Sequence, residues 1–125
     1  MRLLLDTHVL LWWLSRDVRI TTEARIAISD PDALVLVSAA SAWEMSIKSA
    51  TGKLHAPEDL PLQLDRHTFV PLAVELGHGL RAGSLPLHHT DPFDRMLIAQ
   101  AQLEKLTIVT RDPRFALYDV DVLAA

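Results

Sequence analysis

The chain has 125 residues, 16 Asp and Glu against 12 Lys and Arg, a formal net charge of −4, and no cysteine. This length predicts one domain over residues 1–125, and the lack of cysteine excludes disulfides and zinc–thiolate sites. Because phosphate contacts rely on Lys and Arg, a net acidic chain is not an obvious nucleic-acid binder. The apolar N-terminal run is interrupted by Asp6 and His8 and is far shorter than the ~20 residues of a membrane span, so we expect a cytoplasmic protein with no membrane partner.

Strand and helix signals alternate along the chain. The apolar run 2–5 predicts a buried strand that stops at Asp6, and further strands are predicted at 34–37, 69–72, 107–110 and 120–123. Helices are predicted at 8–14, from Thr21 or Thr22 to Ser29, from Ser38 or Ser41 to about Gly52, at 60–67, at 74–80 with Gly83 and Pro86 as breakers, and from Pro92 with Asp91 as N-cap. This alternation predicts an α/β fold in which a mainly parallel sheet carries helices on both faces.

Four acidic residues follow predicted strands or lie near the starts of predicted helices. Asp6 and Asp112 come directly after the strands 2–5 and 107–110, while Glu44 and Asp94 lie early on two helices. Because ligands bind at the carboxyl ends of strands in open α/β sheets, we expect these side chains to converge. Clustered carboxylates repel one another unless a cation joins them, and oxygen ligands suit hard ions such as Mg²⁺ or Mn²⁺. Such an ion supports phosphodiester hydrolysis.

Each acid also has a purely structural interpretation. Asp6 can cap the helix that follows it, Asp91 or Asp94 can satisfy a helix N-terminus, and Glu44 can pair with Lys48 four residues on. The pair His88 and His89 is predicted to be part of a loop without a metal role, because adjacent loop positions rarely present both rings to one ion and no third ligand follows at zinc-like spacing.

Four segments together resemble the PIN-domain ribonucleases, and most of all the VapC-type toxins of bacterial toxin–antitoxin pairs. They are LLLDT at 3–7, SAWEMSIK at 41–48, DPFDRMLIAQA at 91–101 and TIVTRD at 107–112. The resemblance implies a three-layer α/β/α PIN-like fold and an endoribonuclease that hydrolyses RNA with metal-activated water. It also implies Mg²⁺ as cofactor, with Mn²⁺ as a possible substitute, a homodimer, and a VapB-type antitoxin as partner.

The resemblance also implies roles for individual acids. It assigns catalysis to Asp6, Glu44, Asp94 and Asp112, with Asp6 and Asp94 as metal ligands and Glu44 and Asp112 as further ones. Asp91 is an additional acid of the DPFDR motif. It either reaches the ion through water or only caps its helix, and we favour the cap.

Candidate substrate-binding residues flank these acids: Thr7, His8, Thr110, Arg95 and Arg111. Thr7 and Thr110 are also expected to orient the acids through their hydroxyl groups. His8 stands where many PIN-domain proteins carry Asn or Ser. Arg95 can instead pair with Asp91, four residues before it, and Arg111 and Arg114 can pair with nearby acids.

The apolar helix with Trp12 and Trp13 is predicted to be core, with an exposed partner surface as the alternative. Two other functions remain open from the sequence. One is a phosphatase with an aspartyl nucleophile, similar to the haloacid dehalogenases, although these normally carry a second Asp where this chain has His8, and Lys105 is poorly placed for their lysine. The other is a PIN-like module that only binds a partner, against which the presence of all four acids argues.

Overall fold

A computed structural model describes all 125 residues. Its five strands are β1 (Arg2–Leu5), β2 (Leu34–Ser38), β3 (Val70–Leu72), β4 (Thr107–Thr110) and β5 (Asp121–Ala124). Its helices are α1 (Thr7–Leu14), α2 (Thr22–Ser29), α3 (Ala39–Ala50), α4 (Leu60–Arg66), α5 (Leu76–Ser84), α6 (Pro92–Glu104) and a 3-10 helix at Pro113–Leu117. None of these helices has both the length and the apolar content that a bilayer crossing requires.

All five strands are parallel, in the order β3-β2-β1-β4-β5. This confirms the predicted α/β fold with a central parallel sheet. The strand β2 pairs with one edge of β1, and β4, which comes later in the chain, pairs with the other edge. The direction of strand order therefore changes between β1 and β4, and a crevice opens at the carboxyl ends of strands at such a point.

Alternate residues of β1 supply two separate cores, one on each face of the sheet. Leu3 and Leu5 are fully buried in a cluster with residues of α1, α2 and α3, among them Val9, Leu10, Ala24, Ile28 and Met45. Leu4 points to the other face, into a cluster with residues of α6 and the 3-10 helix, among them Leu97, Ile98 and Phe115. Because each buried leucine contributes about 1.5–3 kcal/mol, these two cores fix the strand ends that carry the acids.

Side-chain caps set three of the helix starts at the predicted residues. Thr21 accepts a hydrogen bond from the backbone N–H of Ala24, and Ser38 accepts one from Ala40. Asp91 accepts from the N–H groups of Phe93 and Asp94. Each cap satisfies backbone donors that have no partner within the helix.

The structure corrects the sequence prediction in two places. Helix α5 runs from Leu76 to Ser84 and not over 74–80, because Glu75 and His78 form a reciprocal capping box at its start. Gly83 lies inside this helix, which ends two residues before Pro86. The 3-10 helix at Pro113–Leu117 was not predicted.

Helix α1 is neither wholly core nor wholly exposed. Val9 and Leu10 are fully buried, whereas Trp12 and Trp13 are half-buried at the edge of the same core. The prediction of a core helix therefore holds for the first turn, and the second turn reaches the surface.

Candidate active site

The acids converge in the crevice where strand order changes. Asp6, Glu44, Asp94 and Asp112 line one cavity of about 330 Å³, together with Asp91. The remaining lining residues are His8, Trp12, Lys48, Arg111 and Arg114. The predicted convergence of four separate chain segments is therefore present in the fold.

Asp6 lies at the end of β1, where the backbone is anchored to the neighbouring strand. Its N–H donates to the carbonyl of Val109 at 3.0 Å, and the hydroxyl of Thr110 donates to its Oδ2 at 2.6 Å. Asp6 occupies the N-cap position of α1, as the cap interpretation predicts, but its strongest hydrogen bond is the one from Thr110. Burial raises the pKa of this carboxyl above its ordinary value, because desolvation disfavours the charged form.

Asp94 is held in the first turn of α6 by the cap that precedes it. Oδ1 of Asp91 accepts the N–H groups of Phe93 and Asp94 at 2.9 and 3.0 Å, which confirms the cap that we favoured for Asp91. The carboxylate of Asp94 has no Lys or Arg partner. Burial, followed by the charges of Asp6 and the other cavity acids, raises the pKa of Asp94 to about 8.

Glu44 is almost fully buried on α3, and both of its oxygens have partners. The hydroxyl of Thr7 donates to Oε1 at 2.8 Å, and Nζ of Lys48 lies 2.5 Å from Oε2. The predicted pair of Glu44 and Lys48 is confirmed. The hydrogen bond from Lys48 to the glutamate raises the pKa of the lysine, which keeps the ammonium charged.

Asp112 follows β4 and has a guanidinium partner of its own. Nε and Nη2 of Arg114 reach its oxygens at 3.0 and 2.8 Å, and the backbone N–H of Arg114 donates to Oδ1 at 2.9 Å. These hydrogen bonds lower the pKa of Asp112 to about 2. Asp112 therefore stays ionised under conditions in which Asp94 is mostly protonated.

His89 joins the two acids from the loop in which it was predicted. Its Nδ1 accepts the N–H of Asp91 at 3.2 Å, which leaves the proton on Nε2. Nε2 lies 2.9 Å from Oδ2 of Asp94 and 3.1 Å from Oδ2 of Asp112. Ligand atoms of these three residues lie within 4.8 Å of one another, and with its proton on Nε2 the histidine donates to the two acids. Both histidines lie in the predicted loop, where His89 is buried and His88 is exposed, but the contacts of His89 with the two acids were not predicted.

The burial of His89 depends on the 3-10 helix that no sequence pattern indicated. Its ring packs edge-on against Phe115 at 5.8 Å, and its backbone N–H donates to the hydroxyl of Tyr118 at 2.8 Å. The only signal for this contact was the spacing of Phe115 and Tyr118, three residues apart behind Asp112. That spacing alone does not identify what the two aromatic residues pack against.

Two of the candidate substrate contacts instead position the acids. Thr7 and Thr110 are each 2 % exposed, and their hydroxyl groups donate to Glu44 and Asp6, as the orienting role predicts. A substrate contact through these hydroxyls does not fit this burial. His8 is exposed at the mouth of the cavity.

Arg95 is not available to a substrate. Its guanidinium is buried and donates to four backbone carbonyls, those of Ala82, Leu85, Pro86 and His89. The predicted substrate-binding role of Arg95 is therefore wrong, and so is its alternative pairing with Asp91. Its hydrogen bonds instead hold the loop that carries His89 and Asp91 into the site.

Arg111 lines the cavity and remains accessible. It donates to the carbonyls of Ala125 and Arg19, and its guanidinium carbon lies 4.7 Å from the centre of the Trp12 ring. Lys48, Arg111 and Arg114 are the three Lys or Arg side chains that line the cavity, against five carboxyl groups. The site therefore favours either a bound proton or a bound cation, and the raised pKa of Asp94 reflects the first of these.

The fold and this acidic crevice define the class of protein. A family model described as PIN domain matches residues 3–121, and the chain belongs to the PIN domain family. The comparison with curated proteins finds no match to this chain.

Solved structures with the same fold include toxin–antitoxin complexes. The chain is similar to VapBC2 from Rickettsia felis bound to a promoter DNA fragment, with 13 % identity, a TM-score of 0.72, and coverage of 99 % of this chain and 98 % of that one. It is also similar to DNA-bound VapBC from Salmonella typhimurium, with 16 % identity, a TM-score of 0.68, and coverage of 99 % and 98 %. A toxin–antitoxin complex from Klebsiella pneumoniae matches at 20 % identity and a TM-score of 0.64, with coverage of 96 % and 94 %. At such identities the likeness establishes the fold.

Proposed function

We propose that this chain is a metal-dependent endoribonuclease and the VapC-type toxin of a toxin–antitoxin pair, acting as a single PIN-like domain. One observation carries the proposal: carboxyl groups from four separate chain segments line one cavity at the carboxyl edge of a parallel sheet. Membership of the PIN domain family supports it. An aspartyl phosphatase is less well supported, because the position of its second Asp is taken by the exposed His8.

The donor set fits Mg²⁺, with Mn²⁺ as a substitute. Carboxylate oxygens are the ligands that these hard cations prefer, and three of the five cavity acids, Asp6, Asp91 and Asp94, have no Lys or Arg partner. Asp91 already accepts two backbone N–H groups as the cap of α6. Asp6 and Asp94 would hold the ion, with Glu44, Asp112 and Asp91 as further oxygen donors. When bound, Mg²⁺ supplies a Lewis acid that polarises the scissile phosphate and lowers the pKa of a coordinated water.

The chain's own residues supply orientation and charge. Glu44, fixed by Thr7 and Lys48, would hold or orient the attacking water. Arg111 and Arg114 remain exposed at the cavity wall, where their guanidinium groups can bind RNA phosphate oxygens. RNA affinity then depends on the ion and these local arginines, which answers the objection raised by the net charge of −4.

The nuclease assignment is tested with purified chain and single-stranded RNA. We expect cleavage with Mg²⁺ or Mn²⁺ that EDTA abolishes and that added metal restores. Hydrolysis of a small phosphate ester through a trapped aspartyl intermediate would support the phosphatase instead. A tight partner complex without either activity would support the binding module and contradict the proposal.

The proposed partners are a VapB-type antitoxin and a second copy of the chain. Large apolar side chains remain at the surface, including Trp43 at 64 %, Leu80 at 70 % and Leu76 at 83 % exposure. Trp43 and Phe93 line an apolar cavity of about 360 Å³ between α3 and α6, and apolar surface of this kind is typical of interfaces. Co-purification with the product of the gene immediately upstream tests the antitoxin, and light scattering of the purified chain tests the dimer.

A further inference from the structure

A second cavity, of about 500 Å³, lies directly beside the acidic one. His8 and Trp12 line both cavities, one helical turn apart on the same face of α1. The other residues around the second cavity are Leu11, Leu14, Ser15, Asp17, Arg19, Leu54, His55, Pro57 and Gln63. A linear polymer bound across the acids therefore has room to place its next unit in this cavity.

One wall of the second cavity brings a guanidinium group over an aromatic ring. The guanidinium carbon of Arg19 lies 5.1 Å from the centre of the Trp12 ring. Asp17 accepts from Nε of Arg19 at 3.1 Å and from Nη2 at 2.6 Å, which fixes the plane of the guanidinium. Unpaired bases of RNA stack on aromatic rings and on guanidinium planes, so this wall offers a nucleobase a preorganised platform.

The remaining walls combine apolar contact with hydrogen-bonding groups. Leu54 and Pro57 are apolar, while the imidazole of His55 and the amide of Gln63 offer both donors and acceptors. The one acid of this cavity, Asp17, is neutralised by Arg19, and the guanidinium of Arg111, in the acidic cavity, lies 4.7 Å from the centre of the same Trp12 ring. A flat polar heterocycle on an anionic backbone matches these walls better than an apolar side chain of a protein partner.

We infer that this second cavity, the base subsite, binds a nucleobase next to the cleaved phosphate of single-stranded RNA. The inference rests on the proposed function and adds to it the place where the RNA sequence is sensed. With the phosphate over the acids, the neighbouring base passes His8 and Trp12 and stacks on Arg19. The edge of that base then faces His55 and Gln63, which select among the four bases.

The substitution Arg19→Lys separates stacking from charge. Lysine keeps the positive charge near the RNA backbone but removes the planar group on which a base stacks. Arg19 is well exposed, so this variant is expected to fold. Arg16→Lys is the matched control, because Arg16 is an exposed arginine on the same loop that lines neither cavity.

The substrate is a short single-stranded RNA containing every dinucleotide step, together with copies in which one sugar near the cleaved bond lacks its base. For the unmodified chain and for Arg16→Lys, we expect removal of one particular base to slow cleavage by about tenfold, the size of one stacking contact. For Arg19→Lys, the same removal should change the rate by less than about twofold, because the stacking contact is already lost.

A second readout does not depend on cleavage. In an Asp94→Asn background, fluorescence anisotropy measures binding of the intact RNA and of the same RNA without that base, with and without Arg19→Lys. The loss of affinity on removing the base should again disappear in Arg19→Lys. Gln63→Ala should leave this stacking contribution in place and change the order of preference among the four bases.

The outcomes separate the base subsite from the nuclease itself. RNA cleavage that needs Asp94 but shows the same base dependence in Arg19→Lys as in Arg16→Lys overturns the subsite and leaves the nuclease standing. The subsite is also overturned, and the nuclease left standing, if Arg19→Lys weakens the binding of a protein partner and leaves the base dependence intact. The cavity would then be a protein-binding site. If no RNA is cleaved or bound under any metal condition, both proposals are wrong.

Discussion

Asp94 and Asp112 line the same cavity and contact the same histidine, yet their electrostatics are opposite. Two nitrogen atoms of Arg114 bind Asp112 and lower its pKa to about 2. Asp94 is buried, faces other acids, has no Lys or Arg partner, and has its pKa raised to about 8. Burial, which raises the pKa of Asp94, and a dedicated counter-ion, which lowers the pKa of Asp112, together decide which carboxyl group is charged in the absence of metal.

Glu44 and Asp6 differ in the same respect, the presence of a basic partner. Glu44 is paired with Lys48, whereas the only side-chain hydrogen bond to Asp6 comes from the neutral hydroxyl of Thr110. Of the four proposed catalytic acids, Glu44 and Asp112 each bind a Lys or Arg side chain. Asp6 and Asp94 do not, and we call these two the uncompensated pair. A divalent cation is stabilised most by the uncompensated pair, which is why we place it there.

The largest expected effect comes from Asp94→Asn, which removes one member of the uncompensated pair while keeping its shape. We expect RNA cleavage to fall by about a hundredfold or more, as for the loss of a group that stabilises charge in the transition state. Cleavage assays at saturating Mg²⁺ measure this loss. Asp119→Asn, an exposed acid outside the cavity, is the control and should cleave at the wild-type rate. Near wild-type cleavage by Asp94→Asn would contradict the site assignment.

The next effect concerns the stability of the metal-free protein as a function of pH. Asp94 has a pKa of about 8 in the folded protein against 3.8 ordinarily, so the folded state binds a proton that the unfolded state has lost between these values. Stability should therefore fall as pH rises from about 4 to 8, by about 1–3 kcal/mol. Asp112 acts in the opposite sense and contributes stability that is lost as pH falls from 3.8 towards about 2.

Urea unfolding in EDTA at several pH values measures this dependence. In Asp94→Asn the decline between pH 4 and 8 should be much smaller, because the group responsible no longer titrates. An unchanged decline in this variant would mean that other groups cause it.

A smaller effect is expected from His89→Gln, which removes the hydrogen bonds that link the two unlike acids. Residues that orient metal ligands typically contribute about tenfold to metal affinity or activity, and we expect a loss of this size. Mn²⁺ affinity and cleavage rate measure it. His88→Gln, at the exposed neighbouring position, is the matched control and should behave as wild type. Equal behaviour of the two variants would show that His89 only fills space.

The smallest effect on stability is expected from Arg114→Gln. The arginine side chain is 54 % exposed, and exposed ion pairs contribute little to stability at neutral pH. The melting temperature should change less than in His89→Gln, while the pKa of Asp112, followed by NMR, should rise towards its ordinary value. A pKa of Asp112 that stays low without Arg114 would remove the basis of the comparison with Asp94.

Much of this architecture could be predicted from local sequence patterns. The strand 2–5 and the cap at Asp91 depend on apolar runs and capping residues that neighbouring positions reveal. Strand ends then place Asp6 and Asp112 at one edge of a parallel sheet, which is why their convergence was predictable.

Two of the differences from the sequence predictions have a common physical cause, because each concerns a polar residue whose partners belong to other elements of the fold. Arg95 is buried only because the end of α5 and the loop that follows it present carbonyl groups to its guanidinium. His89 joins the site only because Phe115 and Tyr118 enclose it. The start of α5 depends on His78 in a capping position where Glu or Gln is the usual signal.

Calorimetric titration of the metal-free protein with Mn²⁺ at pH 7, in buffers of different ionisation enthalpy, tests the central claim most directly. If the uncompensated pair binds the ion, each ion should displace close to one proton, because Asp94 is mostly protonated at this pH. Asp94→Asn should bind at least about tenfold more weakly and without that proton release. Absence of binding, or binding that is unchanged in Asp94→Asn, would contradict the account.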